Sequence, residues 1–225
     1  MSSEFSNLPA AAEAAPRLTA QPTSPAGRRQ RPGGRRSRPP GTAQRALDVA
    51  ERVVQTRGFN GFSYADVAGE LGITKASLHY HFPGKAELGE ALIVRYTARF
   101  LDALASIDRD IADARAKLDA YVSIYSGVLK QGRMCLCGIL AAEFETLPQA
   151  MREAVTAFLD ANLSWLTAVL TQGHAGGALA IAGAAEDTAQ MLLSGLEGAM
   201  LIARAGGGVA RFESSARLLV GTVAP

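Results

Sequence analysis

The chain has 225 residues, 23 Lys+Arg against 21 Asp+Glu for a formal +2, and 48% hydrophobic residues. That is long enough for one large or two small domains with a sizeable core, and too apolar for a wholly disordered polymer. Two cysteines, spaced as Cys135-x-Cys137, are too few and too close for a disulfide framework and point to a reducing compartment, the cytoplasm by default.

The charge is unevenly spread. Residues 1–41 carry seven Arg and two Glu (7 − 2 = +5), residues 42–100 carry seven basic and six acidic groups (+1), and residues 101–225 nine and thirteen (−4). A basic front on an acidic back suggests a polyanion partner for the front only. Residues 28–40 read RRQRPGGRRSRPP, and a segment so rich in Pro and Arg cannot bury enough apolar surface to offset its chain entropy. Residues 1–41 are therefore expected to be a disordered arm. It is either a solubilising tail or a DNA arm whose Arg28, Arg29, Arg31, Arg35, Arg36 and Arg38 lie along a duplex. The N-terminus has no apolar h-region, so no signal peptide is expected. The longest near-apolar stretch, residues 175–185, has eleven residues against the roughly 20 a spanning helix needs, and no membrane partner is expected.

From Thr42 the pattern is helical. Ala46, Leu47, Ala50, Val53 and Val54 form an apolar stripe, with Thr42 as cap and Gly58 as stop. Ser63-Tyr64-Ala65-Asp66 is a capping-box pattern, opening a short helix that ends at Gly72. Thr74 caps the next helix, Lys75–Tyr80, and another begins near Lys85. Two short helices joined by Gly72-Ile73-Thr74 have helix-turn-helix dimensions, since the glycine lets the chain leave the first helix left-handed. Leu78 and Phe82 point inward, and small Ala76 and Ser77 let the second helix sit deep in a major groove. His79-x-His81 does not suggest a metal site, because residues two apart lie on different helix faces. No metal or other cofactor is expected.

Residues 42–90, above all the string Gly72-Ile73-Thr74-Lys75-Ala76-Ser77-Leu78-His79-Tyr80-His81-Phe82 followed by Lys85 and Glu87-Leu88, resemble the DNA-binding domain of TetR-type transcriptional regulators. Ala76 stands where Gly is common and His79 where Tyr is common. The resemblance implies an all-α fold: a three-helix DNA-binding domain over 42–100 and a helical effector-sensing and dimerisation domain over 101–225. The implied partners are a double-stranded DNA operator, a second copy of the chain, and a small-molecule or electrophile effector. The DNA-facing candidates are Tyr64, Thr74, Lys75, Ala76, Ser77, Tyr80, His81 and Lys85. The alternative is an all-α binding protein or enzyme with an incidental helix-turn-helix. Against an enzyme, no nucleophile-base set, phosphate loop or metal constellation is visible.

In the back half, long amphipathic helices follow one another. Pro148 suits the first turn of one, glycines at 173–177 break it, and residues 185–205 and 212–220 form a last pair. Small and apolar residues there, among them Gly195, Gly198, Met191, Leu192 and Met200, suit either a dimer interface or a monomer core. The stretch Met134-Cys135-Leu136-Cys137-Gly138 is similar to the TetR branch containing the N-ethylmaleimide-reductase repressor, which implies electrophile or oxidant sensing at Cys135. A helix N-terminus and the nearby Arg133 would lower its thiol pKa. The other reading is two buried, inert thiols. Tyr121, Tyr125, Phe144, Phe158 and Trp165 either converge on a ligand cavity or fill the core.

Overall fold

The computed structural model of the protein describes residues 41–225, and the arm with Arg28, Arg29, Arg31, Arg35, Arg36 and Arg38 lies outside the described residues. Helix α1 spans Thr42–Arg57. Thr42 is its first helical residue rather than its cap, because extended Gly41 takes the cap position and accepts the first amide, from Arg45. Gly58, at φ 80°, closes the helix by donating to Val54 O, a conformation that suits glycine alone. Helix α2, Tyr64–Leu71, opens with both halves of the capping box formed between Ser63 and Asp66. The Ser63 hydrogen bonds hold the Asp66 carboxyl below its usual range. Gly72 is left-handed, as the turn requires. Helix α3, Lys75–His81, starts where Thr74 accepts from the Ser77 amide at 3.1 Å.

Helix α4, Lys85–Asp110, is 26 residues long and runs straight through residue 100, so the helix-turn-helix segment and the C-terminal half share one helix. Then come α5 (Ala114–Lys130), α6 (Leu136–Ala141), a 3₁₀ turn (Phe144–Thr146), α7 (Gln149–Ala175), α8 (Ala185–Ala205) and α9 (Gly208–Gly221). No strand occurs among the described residues. Helix α9 begins four residues earlier than the apolar pattern suggested, because left-handed Gly207 already turns the chain. Helix α7 is long and apolar enough to cross a membrane on length and composition, which a count of unbroken apolar residues missed. Its Met151, Val155, Phe158, Leu166 and Leu170 are nevertheless buried in the protein's own core. That core is continuous from Ala46 on α1 to Val223 beyond α9.

Candidate nucleic-acid interface and sensor core

Helix α3 is anchored from below and open above. Leu78 is fully buried and Phe82 nearly so, while Thr74, Lys75, Ala76, Tyr80 and His81 face solvent and Ser77 is half-buried. Tyr80 is 87% exposed, with its ring edge-on to His81 at 5.2 Å. A seven-residue helix presenting two small side chains between a lysine and an exposed aromatic has the profile of an element that enters a groove.

Two residues expected at DNA are engaged elsewhere. Tyr64 is buried, and its hydroxyl donates to Phe82 O at 2.8 Å and to Gly84 O, tying α2 to the turn between α3 and α4. Burial and then the charge of Glu87 push its pKa up to about 12. Lys85 lies over the rings of Phe59 and Phe62, 4.5 and 4.7 Å from their centroids, and desolvation lowers its pKa against the opposing pull of Glu143 and Asp66. Both positions read as outward only while each helix was taken alone. His79 packs on Tyr64 and bonds to Pro83 O at 2.9 Å, so it braces the same turn. Tyr64→Phe should therefore cost about 1–2 kcal/mol in urea denaturation, the value of a buried hydroxyl whose acceptors go unpaired.

The helix-turn-helix segment is joined to the C-terminal half by hydrogen bonds that no local pattern signals. The main-chain oxygen of Gln55, near the end of α1, accepts from Met134 N at 3.1 Å and from Arg204 at 3.2 Å. Arg204, on α8, also donates to Thr56 O. Glu143, just after α6, accepts from Phe59 N at 2.6 Å and Asn60 N at 3.3 Å, and Asn60 donates to Thr146 at 2.7 Å. The segment 134–146 is thus a strap touching α1 at one end and the α1–α2 turn at the other.

In the C-terminal half Tyr121, Tyr125, Phe158 and Trp165 come together with Tyr96 and Phe100, packed ring on ring rather than around an empty space. Tyr121 bonds to Tyr125 at 2.9 Å and to Asn162 at 3.0 Å, while Trp165 donates to Asp108 at 2.8 Å. Phe144 stands apart, half-buried in the 3₁₀ turn.

Cys135 and Cys137 are both buried, and burial, followed by the charge of Glu197, pushes both thiols well above their ordinary pKa. The expected activation by the helix end and Arg133 is therefore overturned. Helix α6 is only six residues long, and desolvation outweighs its field. Beside Cys135 lies a group that no motif or periodicity marks. Both carboxylate oxygens of Glu197, on α8, are buried, and the Cys135 thiol is the polar group beside them. Desolvation raises its pKa to about 7, offset only in part by the Cys135 thiol. Gly138 leaves the slot into which this carboxylate fits, since a Cβ there would collide with it.

Residues 46–92 match the family model described as bacterial regulatory proteins of the tetR family, and residues 113–219 match the tetracyclin-repressor-like C-terminal domain. A TetR-family transcriptional regulator from Agrobacterium tumefaciens is 34% identical, covering 81% of this chain and 97% of its own at a TM-score of 0.79. The chain belongs to the TetR family. It is a transcriptional regulator, not an enzyme. A TetR regulator from Legionella pneumophila is 29% identical (82% and 98% covered, TM-score 0.72). The reduced form of E. coli NemR, at 23% identity (82% and 98%, TM-score 0.71), shares the fold. No curated protein matches the sequence.

This TetR-family chain keeps an apolar surface on its last two helices. Met191, Leu201 and Ile202 on α8 and Leu218 on α9 are exposed, from 43% to 74%. Leu192 and Met200 belong to the monomer core instead. Gly195 is spent within the chain, packed under Leu219, whereas Gly198 faces open space.

Proposed function

We propose that this TetR-family regulator is a homodimeric cytoplasmic repressor that reads a palindromic operator with α3 and leaves it when a small molecule binds the helical C-terminal half. The observation that carries the reading is the solvent face of α3, where Thr74, Lys75, Ala76, Ser77, Tyr80 and His81 surround no core contact while Leu78 and Phe82 hold the helix down. The exposed apolar residues of α8 and α9 support a dimer, which two operator half-sites would require. A non-covalent effector is favoured over electrophile capture because both thiols are buried and raised in pKa.

The test is fluorescence anisotropy with the DNA upstream of the regulator's own gene, at several salt concentrations. Lys75→Gln should weaken binding and lower the salt slope by about one, as loss of one phosphate contact does. Deleting residues 1–40 should lower the slope further if the six arginines lie along the duplex, and an unchanged slope removes the arm from the interface. No sequence-specific binding by the full chain would end the repressor reading.

A further inference from the structure

Between α1 and the sensor helices α4 and α5 lies a cavity of about 300 Å³, at the small end of the range for ligand sites. Tyr96, Phe100 and Ile124 give it an apolar wall, and Gln55, Arg99 and Arg133 a polar one. The cations there are only partly used. Glu51 is buried and held by Arg95 at 2.7 Å and by Arg99, but Arg99 reaches both carboxylate oxygens through Nη2 alone, at 2.6 Å each. The other two nitrogens of Arg99, and the whole Arg133 guanidinium, have no hydrogen-bond or ion-pair partner among the described residues. The side-chain oxygen of Gln55 is also unpartnered, although the residue is only 2% exposed. Two guanidiniums against one already neutralised carboxylate leave the cavity with a net positive character. The free edge of Arg99 and the Arg133 guanidinium are donors, and they call for an anionic acceptor.

We infer that this cavity binds a small amphipathic carboxylate. Its anionic end lies between Arg133 and the unused edge of Arg99, and its apolar body lies on Tyr96 and Phe100. The inference rests on the reading of the chain as an effector-responsive regulator, and names the effector's chemical class. The cavity's position gives binding a consequence. Arg99 is the α4 partner of Glu51 on α1, one turn before Gln55, whose main chain takes the Met134 and Arg204 hydrogen bonds. A ligand carboxylate on the free edge of Arg99 shares that guanidinium with Glu51, so it weakens the hold of Arg99 on α1 where the reading head is held. Operator and ligand then weaken each other's binding by the same factor.

The test uses the full chain and four acids, butyrate, octanoate, benzoate and phenylacetate, each paired with its neutral primary amide. Calorimetry should show that at least one acid binds and that its amide binds about tenfold or more weakly, as expected when charge-assisted hydrogen bonds are lost. Arg133→Gln should cut the affinity for that acid about tenfold while its operator affinity without ligand stays at the wild-type value. Ala103→Leu fills the same cavity from α4 without altering charge and should abolish binding. The bound acid should raise the operator dissociation constant in anisotropy. The inference is overturned if none of the acids binds, if the amides bind as well as the acids, or if Arg133→Gln and Ala103→Leu both bind the acid like wild type. Failure of the wild-type chain to bind any operator would overturn the regulator reading instead, and calorimetry would still judge the site.

Discussion

Glu197→Gln should leave stability unchanged near pH 4.5 and raise it by about 3 kcal/mol above pH 7. The carboxyl titrates near 4.5 in the unfolded chain and at about 7 when folded, because both its oxygens are buried and the Cys135 thiol beside them offsets that desolvation only in part. The folded protein therefore holds a proton that the unfolded chain gives up between these two values. Wild-type stability falls by roughly 1.4 kcal/mol per pH unit across that window and levels off above it. Gln mimics the protonated acid and removes the slope. In thermal melts the gap between variant and wild type should open from about pH 4.5 to reach roughly 6–12 °C at pH 8. Parallel pH profiles for the two proteins would show that Glu197 is hydrated or paired in solution.

Glu143→Ala should produce the second large effect, at the other end of the strap. Its carboxylate is the acceptor for the Phe59 amide at 2.6 Å, and Phe59 is buried, so the alanine takes away the charged partner of a part-buried donor. A charge-assisted bond of this kind is worth about 2–3 kcal/mol. The loss should appear in urea denaturation, and faster amide exchange should be confined to residues 58–62. Glu143→Gln keeps an acceptor oxygen and should recover part of the loss. Lys85 also loses a nearby negative charge in both variants, so its grip on the Phe59 and Phe62 rings should weaken in step. Protection at 58–62 equal to wild type would mean that the strap does not hold the α1–α2 turn.

The parts of this molecule that could be read from the sequence are those whose causes are local. Ser63, Asp66, Gly72 and Thr74 act within four residues of themselves, and they set the helix-turn-helix where the pattern put it. Tyr64 and Lys85 have partners within the chain, the Phe82 and Gly84 carbonyls and two phenylalanine rings, that lie on other elements. A helical wheel cannot see those. Glu143 finds Phe59 across 84 residues, and Arg204 finds Gln55 across 149, with no periodicity to mark either. Cys135 drew attention through its motif, yet its chemistry depends on how deeply α6 is buried and on Glu197 opposite it. Tyr121, Tyr125, Phe158 and Trp165 share one region, while Phe144 lies apart from it. Whether they enclosed a space or filled one was a question of packing that spacing along a helix does not answer.

Helix α4 joins the two halves without a break, and that makes it a rigid lever. Its 26 residues measure about 39 Å at 1.5 Å per residue. The Gly84 end carries the turn braced by Tyr64, while the cavity residues Tyr96, Arg99 and Phe100 lie near its middle. A tilt of about 5° pivoting at the Asp110 end would carry the head end through about 3 Å, by simple arc length over that helix. In the proposed dimer two such arcs would add, against a half-site spacing of about 34 Å that the duplex holds fixed. A change no larger than one side chain switching partners would then be enough to put the two reading helices out of step with the grooves.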